Sequence, residues 1–300
     1  MIHRMIRLSR YRMSVSIAGL LICSSLFSQE FSPASGPADM DRMLQSLVFT
    51  GWSEIKPGRV HYIRVELTDR EKEVLSQFGN TAPEYAILSI GLPSDYDSDK
   101  VYPILFTSVT GNIYAPNAYS IRNYYRSTQK TGWIVVSIDG DHWPKRDTIV
   151  WRIGMMEVAV RYMNERWMLF EEMPVAYAGF SGGAKISVYL SYFSILLGKT
   201  PAGLFLSGCN QAPVKEAAKM TELDENAVRG IPVFFSMGED DRIATLSDSR
   251  KVTQTMARAG FSRQQIDVHP GGHHLESFHL LEALQFFESF FPEKKEEPSD

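Results

Sequence analysis

Short apolar runs recur along the chain and alternate with longer segments of helical periodicity. Many residues in these runs are β-branched or aromatic, and several runs are apolar at consecutive positions. Continuous apolar runs of this length are typical of strands that are buried on both faces of a parallel sheet. The pattern therefore predicts seven strands, at residues 85–92, 102–107, 133–138, 175–179, 202–207, 231–237 and 265–269.

Helices are predicted between these strands. After the third of them, apolar residues recur every three or four positions and so share one helix face: Ile149, Ile153, Met156, Val160, Met163 and Trp167. We interpret this stripe as core rather than as a cofactor site. Residues 184–197, 251–259 and 275–291 predict further helices. The alternation predicts an α/β fold, with a mostly parallel sheet, helices on both faces, and ligand-binding residues at the carboxyl ends of the strands.

The two ends of the chain lie outside this pattern. Four arginines precede an apolar run at residues 13–27 that is too short to span a bilayer. They predict a signal peptide over residues 1–28, and hence a secreted or periplasmic protein. An uncleaved membrane anchor and lipid attachment at Cys23 are the alternatives. The remaining predicted regions are a linker at 29–38, an N-terminal extension with a helix, a strand and a helix at 39–84, the main domain at 85–291 and a charged, disordered tail at 292–300.

Composition narrows the classes of function. The chain has 300 residues, of which 44% are hydrophobic, and this is enough for one domain with a substantial core. A formal net charge of −4 gives no sign of the basic surface that nucleic-acid binding requires. Without the signal peptide, Cys209 would be the only cysteine, so no disulfide could form within the chain. Its place at the end of an apolar run predicts a buried structural side chain rather than a nucleophile.

One serine stands in an unusual setting. Ser181 lies in the sequence Gly-Phe-Ser-Gly-Gly, directly after the predicted strand at 175–179 and before the predicted helix at 184–197. A tight connection that needs glycine would explain the glycines without any chemistry. The alternative is a nucleophile elbow, whose sharp turn exposes the serine oxygen and aims backbone N–H groups at the same point. The Gly182 N–H is then a predicted oxyanion donor.

A serine nucleophile needs a base, and the base needs an orienting carboxylate later in the chain. Both are present after predicted strands. The segment IPVFFSMGEDDRIA contains Asp241, with Asp240 and Glu239 as less favoured alternatives, and IDVHPGGHHLE contains His273. Because neighbouring side chains on an extended stretch point apart, His273 and His274 are not expected to share a metal ion.

Together these segments resemble the α/β-hydrolases. The chain is similar to secreted bacterial esterases of the polyhydroxybutyrate-depolymerase and feruloyl-esterase kind over about residues 85–291. The likeness rests on GLPSDYDSDKVYPILF, on residues 179–183, on the acid loop at 238–241 and on Gly272-His273. It implies that Ser181, Asp241 and His273 form the triad, and that no cofactor or metal is needed. Relatives often carry glycines after the third strand for a second oxyanion donor. Here that stretch is LFTSVTGN, which leaves the N–H of Val109 or Ser108 as the expected donor.

Several further residues carry alternative interpretations. His142 and Trp143 follow a predicted strand at the active edge, so they are candidates for substrate binding, with a plain surface loop as the alternative. His269 and His279 are expected to be structural. Only residues 210–230 separate the strands at which this fold often inserts a lid, so no large cap is expected.

The sequence thus predicts a secreted serine esterase acting on small or polymer-linked esters, with neither a nucleic-acid partner nor a membrane span in the mature protein. A peptidase of the same fold and a non-catalytic binding protein on the same scaffold are the alternatives.

Overall fold

The computed structural model describes residues 37–110 and 116–292. The predicted signal peptide, Cys23, most of the predicted linker and almost all of the predicted tail lie outside these residues. So do residues 111–115, the first two of which end the stretch LFTSVTGN that contains Val109.

Eight strands of the described chain form one sheet. Their order across the sheet is β1-β2-β4-β3-β5-β6-β7-β8; β2 is antiparallel to both neighbours, and the pairs from β4 to β8 are parallel. The seven predicted strands are all present within a few residues of their expected bounds, and β1 lies in the predicted extension. The strands are β1 Val60–Glu66, β2 Tyr85–Gly91, β3 Ile104–Ser108, β4 Ile134–Gly140, β5 Val175–Phe180, β6 Gly203–Ser207, β7 Val233–Gly238 and β8 Gln264–His269.

Helices cover both faces of this sheet, as predicted. Their bounds are α1 Pro37–Gln45, α2 Asp69–Leu75, α3 Asn117–Thr128, α4 Ile149–Arg166, α5 Gly182–Leu196, α6 Val214–Thr221, α7 Leu246–Arg258 and α8 Ser277–Glu288. Helices α3 and α8 pack on one face, while α4, α5 and α7 contribute to the larger core on the other face. The apolar stripe of α4 is buried core, except for the partly buried Val160.

Side chains of successive residues in the central strands pack into different hydrophobic clusters, one on each face of the sheet. Val136 of β4 joins the larger cluster, whereas Val135 joins the cluster beneath α3 and α8. In the same way, Tyr177 and Ala176 of β5 face opposite sides. Both faces of these strands are therefore buried, which explains why the sequence shows continuous apolar runs rather than alternation.

The N-terminal segment attaches to the main sheet at several points. It contains the helix, strand and helix expected from the sequence, in α1, β1 and α2. Arg161 of α4 forms hydrogen bonds with the Glu71 carboxylate of α2, at 2.7 and 3.0 Å. Asn80 exchanges two hydrogen bonds with the backbone of Arg146, at 2.9 and 2.8 Å. These contacts fix the segment against α4 and against the loop between β4 and α4.

The connection between β6 and β7 is short. It contains α6 and a one-turn 3₁₀-helix, so the expected lack of a large cap at this point is confirmed. Among the described residues, no helix is both long enough and apolar enough to cross a membrane.

Candidate active site

Ser181 lies in a strained turn between β5 and α5. Its backbone has φ 55° and ψ −116°, a region that a side chain with a Cβ rarely adopts and that costs on the order of 1–3 kcal/mol. Its N–H donates to the carbonyl oxygen of Ser207 at the end of β6, at 2.8 Å. The side chain is half-buried at the carboxyl edge of the sheet. The strand, the turn and the helix match the geometry of a nucleophile elbow.

The glycines around Ser181 are needed for close approach. A Cβ on Gly179 would lie 2.1 Å from the backbone of Gly183, and a Cβ on Gly183 would lie 2.0 Å from the carbonyl oxygen of Ser108. At Gly182 a Cβ would meet the Thr110 side chain at 2.7 Å. Because the first two obstacles are backbone atoms, they cannot move aside as a flexible side chain can. The start of α5 is thus pressed against β3 and β5.

We expect Gly179→Ala to destabilise the protein by about 3 kcal/mol or more, since the added methyl group forces the elbow apart. Urea denaturation of the purified variant measures this change. Gly51→Ala is the matched control, because its Cβ would lie 3.4 Å from the end of the Glu54 side chain and its φ is −67°. Equal denaturation midpoints for the two variants would contradict this account of the elbow.

Asp241 and His273 form a hydrogen-bonded pair. The distance between Asp241 Oδ2 and His273 Nδ1 is 2.7 Å. The other carboxylate oxygen accepts the N–H groups of Ile243 and Ala244, each at 2.8 Å. Burial alone would raise the pKa of Asp241, but these hydrogen bonds and the one with His273 outweigh it and lower the pKa below its ordinary value. An ionised, fixed carboxylate therefore holds one ring nitrogen of His273.

Asp241 differs from its neighbours in the acid loop because its side chain is buried. Glu239 and Asp240 are exposed, whereas the Asp241 side chain is 1% exposed. The Asp240 N–H donates to the Gly271 carbonyl, at 2.8 Å. Of the three candidate acids, Asp241 is the one hydrogen-bonded to the imidazole.

His273 lies beside the elbow. Its ring is 4.5 Å from the ring of Phe180, the residue before Ser181, measured between centroids. The ring also approaches Gly208, where an added Cβ would lie 3.0 Å from His273 Cε1. The structure therefore brings the three residues of the predicted triad to one edge of the sheet.

Both predicted oxyanion donors have partners within the chain. The Gly182 N–H donates to Thr110 Oγ1 at 2.9 Å, and that hydroxyl donates to the Phe180 carbonyl at 3.0 Å. The Val109 N–H donates to Asn117 Oδ1, also at 2.9 Å. Thr110 is a residue that sequence reasoning missed. It lies in the predicted oxyanion stretch, but only the fold places its hydroxyl against Gly182.

Asp139, at the end of β4, is a second residue that the sequence did not single out. The buried carboxylate accepts the backbone N–H groups of Asn117 and Ala118, at 3.1 and 2.7 Å, and the Asn117 side-chain amide at 3.0 Å. It thereby fixes the start of α3 and the amide that holds Val109. Burial raises the pKa of Asp139 to about 6, although these hydrogen bonds and the charge of Arg152 act in the opposite direction.

This raised pKa predicts a pH-dependent stability. The unfolded carboxyl loses its proton near its ordinary pKa of 3.8, whereas the folded one keeps it until about pH 6. Folding therefore becomes less favourable as the pH rises through this window, by on the order of 3 kcal/mol, and the loss is complete above it. Urea denaturation between pH 4 and 7 should show this loss in the wild type and not in Asp139→Asn. Parallel pH profiles for the two proteins would contradict the assignment.

His142 and Trp143 line a small cavity at the carboxyl ends of β3 and β4, together with Ser108, Asn117, Asp139 and Arg152. Both are held by neighbours. The His142 ring contacts the Asp141 carboxylate at 2.7 Å, and this hydrogen bond raises the pKa of His142. The backbone N–H of Trp143 donates to the Asp41 carboxylate of α1, at 2.8 Å. A role for His142 and Trp143 in substrate binding stays a prediction.

Three other residues considered from the sequence, Cys209, His269 and His279, are buried, whereas His274 is not. Cys209 is free and 3% exposed, and burial raises its thiol pKa to about 11, so it is not poised as a nucleophile. His269 lies at the end of β8 and His279 on α8, where its Nδ1 is 2.9 Å from Ser236 Oγ. His274 is half exposed, with 48% of its side chain accessible.

Comparison with solved structures identifies the fold. EstE1, a thermophilic carboxylesterase cloned from a metagenomic library, is 15% identical and has a TM-score of 0.56; the match covers 87% of this chain and 100% of that one. The chain has the α/β-hydrolase fold. Esterase 2 of Thermogutta terrifontis, phosphorylated by paraoxon, is 11% identical with a TM-score of 0.53, over 80% of this chain and 96% of that one.

A third similar structure is named as a peptidase rather than as an esterase. It is a Bacteroides ovatus protein provisionally identified as a dipeptidyl aminopeptidase IV, 10% identical with a TM-score of 0.52. The match covers 77% of this chain but 36% of that one, so this chain spans about a third of its length. No protein-family model and no curated protein matches the sequence.

Proposed function

We propose that the protein is a serine hydrolase that cleaves carboxylic esters through an acyl-enzyme. The observation that carries this proposal is the hydrogen bond between Asp241 and His273 next to the strained turn that exposes Ser181. Support for an ester substrate comes from EstE1 and the Thermogutta esterase, which share the fold. We also propose that the protein is a secreted esterase of the polyhydroxybutyrate-depolymerase and feruloyl-esterase kind. This part of the proposal rests on the resemblance of four segments: GLPSDYDSDKVYPILF, residues 179–183, residues 238–241 and Gly272-His273.

In the proposed reaction, His273 takes the proton of Ser181 as the serine oxygen attacks the ester carbonyl. Asp241 keeps the Nδ1 proton of His273 in place, so that Nε2 carries the lone pair that accepts the serine proton. His273 then gives this proton to the alcohol that leaves. A water molecule then attacks the acyl-enzyme, with His273 again taking the proton of the nucleophile, and the acid is released from Ser181.

The Gly182 N–H is the proposed donor to the oxyanion. Its present acceptor, the Thr110 hydroxyl, stands in for the substrate oxygen and would have to turn away when a substrate binds. The Val109 N–H is the proposed second donor and would have to leave Asn117 Oδ1. Substrate binding is therefore expected to exchange two internal hydrogen bonds for bonds to the developing negative charge, where they are stronger.

The β6–β7 connection is too short to form a large cap over the site. Both small and bulky substrates, including esters carried on a polymer, should therefore reach it. We expect hydrolysis of soluble short-chain p-nitrophenyl esters, with no jump in rate as the substrate passes its solubility limit, since such a jump requires a mobile hydrophobic lid. Initial rates measured across that limit test this. A sharp increase, or activity confined to long-chain lipids, would contradict it.

The peptidase alternative is tested by matched pairs of substrates. The similarity to the Bacteroides ovatus protein favours it as the second candidate. A p-nitrophenyl ester and the p-nitroanilide with the same acyl group present the same binding surface with different leaving groups. The proposal predicts turnover of the ester and little of the anilide. Faster turnover of aminoacyl anilides would assign a peptidase, and no turnover of either would favour a binding protein.

We also propose that the protein is exported, because of the arginines and the apolar run at residues 1–28. N-terminal sequencing of the protein recovered outside the cytoplasm tests this. A mature terminus near residue 29 is expected, whereas an intact terminus in the cytoplasm would contradict export.

A further inference from the structure

Side chains of the types that can bind metal ions are concentrated in the chain segment around His273. They come from β8, the loop after it and α8, and they form two groups. One candidate ligand atom from each of His269, His274 and Glu276 lies within 4.8 Å of the other two, and the same holds for Asp267, His279 and Glu282. The proposed hydrolysis uses none of these six residues.

We propose that His269, His274 and Glu276 bind a divalent transition-metal ion, with Zn²⁺ as the best-fitting ion. Two imidazoles and a carboxylate are a ligand set that suits Zn²⁺, and a water molecule would complete the tetrahedron. Ligand atoms around one zinc ion lie roughly 3.4 Å apart. Each pair of ligand atoms must therefore approach by about 1.4 Å at most to bind one ion, and the exposure of His274 and Glu276 allows this movement.

Two of the ligands are already oriented by a second partner. The Nδ1 of His269 lies 3.1 Å from the Pro270 carbonyl oxygen, which accepts an N–H and so leaves Nε2 with the lone pair. Glu276 accepts the Phe278 N–H with Oε1, at 3.0 Å, while its Oε2 lies 3.8 Å from His274 Nε2. Ligands held in this way by backbone groups are the usual arrangement around protein-bound metals.

The second group fits a metal ion less well. It contains a single imidazole, that of His279, whose Nδ1 is 2.9 Å from Ser236 Oγ in the interior. His279 and His269 are neighbours, with ring centroids 5.3 Å apart, whereas the His269 and His274 rings are 4.5 Å apart. The group nearer the surface thus has two histidines and an entry path for the ion.

The position of this site ties it to the catalytic loop. His273 lies in the chain between His269 and His274, and the same loop accepts two backbone hydrogen bonds from the acid loop: from Glu239 to His269 and from Asp240 to Gly271, both 2.8 Å. An ion here would join the end of β8 to the start of α8 across that loop. We therefore expect zinc to raise the thermal unfolding midpoint.

The proposal is tested by zinc titration of the full, EDTA-treated chain without an affinity tag, followed by calorimetry. One ion per chain is expected, and His274→Ala and Glu276→Gln should each weaken binding by more than about tenfold. Glu276→Gln keeps an oxygen for the Phe278 N–H, and the unfolding midpoint in EDTA checks that each variant is folded.

Two control variants separate this site from its neighbours. Glu282→Gln alters the second group and His273→Ala removes the proposed catalytic base, and both should bind zinc as the wild type does. The proposal is overturned if binding does not saturate near one ion per chain, if neither His274→Ala nor Glu276→Gln weakens it, or if the loss appears in the Glu282 or His273 variant instead. Because the readout is binding, the result is independent of whether the protein hydrolyses esters.

Discussion

Ser181→Ala should lower kcat for a short-chain ester by about 10⁴- to 10⁶-fold, because the substitution removes the proposed nucleophile. The change deletes one half-buried oxygen and leaves the strained backbone of the elbow as it is. Its melting temperature should therefore stay close to that of the wild type. Steady-state rates of the purified variant, with its circular dichroism as a check on folding, measure the effect.

Ser207→Ala is a matched control for this experiment. Ser207 ends the neighbouring strand β6, and its carbonyl accepts the Ser181 N–H, but its buried hydroxyl has no hydrogen-bond partner in the described part of the chain. Removing that hydroxyl breaks no hydrogen bond there, so activity should persist. Substantial turnover by Ser181→Ala, or an equal loss in both variants, would rule out Ser181 as the nucleophile.

The second large effect is expected at the acid. Asp241→Asn should cost about 10⁴-fold in kcat, while Asp240→Asn should leave the rate close to wild type. The amide oxygen of the new residue would still accept the N–H groups of Ile243 and Ala244. Its NH₂ group would then face His273 and force the ring to accept at Nδ1. With the proton moved to Nε2, His273 could no longer take the proton of Ser181.

The Asp240 variant is the control within the same loop. Asp240 is exposed, so its substitution tests the general effect of removing a charge beside the site. A larger loss in Asp240→Asn than in Asp241→Asn would contradict the assignment of the acid. Equal, small losses would indicate that no carboxylate orients the histidine.

Much of the fold could be predicted because its physical signals are local. A buried strand such as β4 is apolar at most of its positions, and α4 repeats its apolar residues at helical spacing. The turn at Ser181 was predictable for a different reason: the backbone atoms around Gly179 and Gly183 leave no room for a Cβ, so the sequence must place glycine there. The acid and the histidine were then predicted because, in this fold, they follow the serine in that order along the chain.

Other features depend on contacts across the fold that leave no local pattern. The antiparallel direction of β2 follows from how β1 and β4 pair with it, and periodicity is the same for either direction. Asp139 is a single acid at the end of an apolar run, which looks like a solvated strand end until α3 is packed over it.

The contacts of Thr110, and those among His269, His274 and Glu276, also depend on packing between separate parts of the fold. The Thr110 hydroxyl meets Gly182 only because β3 and β5 are neighbours in the sheet. His269 and His274 belong to different elements, and the packing of β8 against the following loop sets the distance between their rings. Spacing along the sequence does not encode these distances.

Labelling with a fluorophosphonate tests the central claim most directly. The reagent reacts with a serine that a neighbouring base activates, and mass spectrometry of the digested protein locates the adduct. The account predicts one adduct per chain, on the peptide that contains Ser181, and a large loss of labelling in Asp241→Asn. An unlabelled protein under conditions in which it is folded, or an adduct on any other residue, would contradict it.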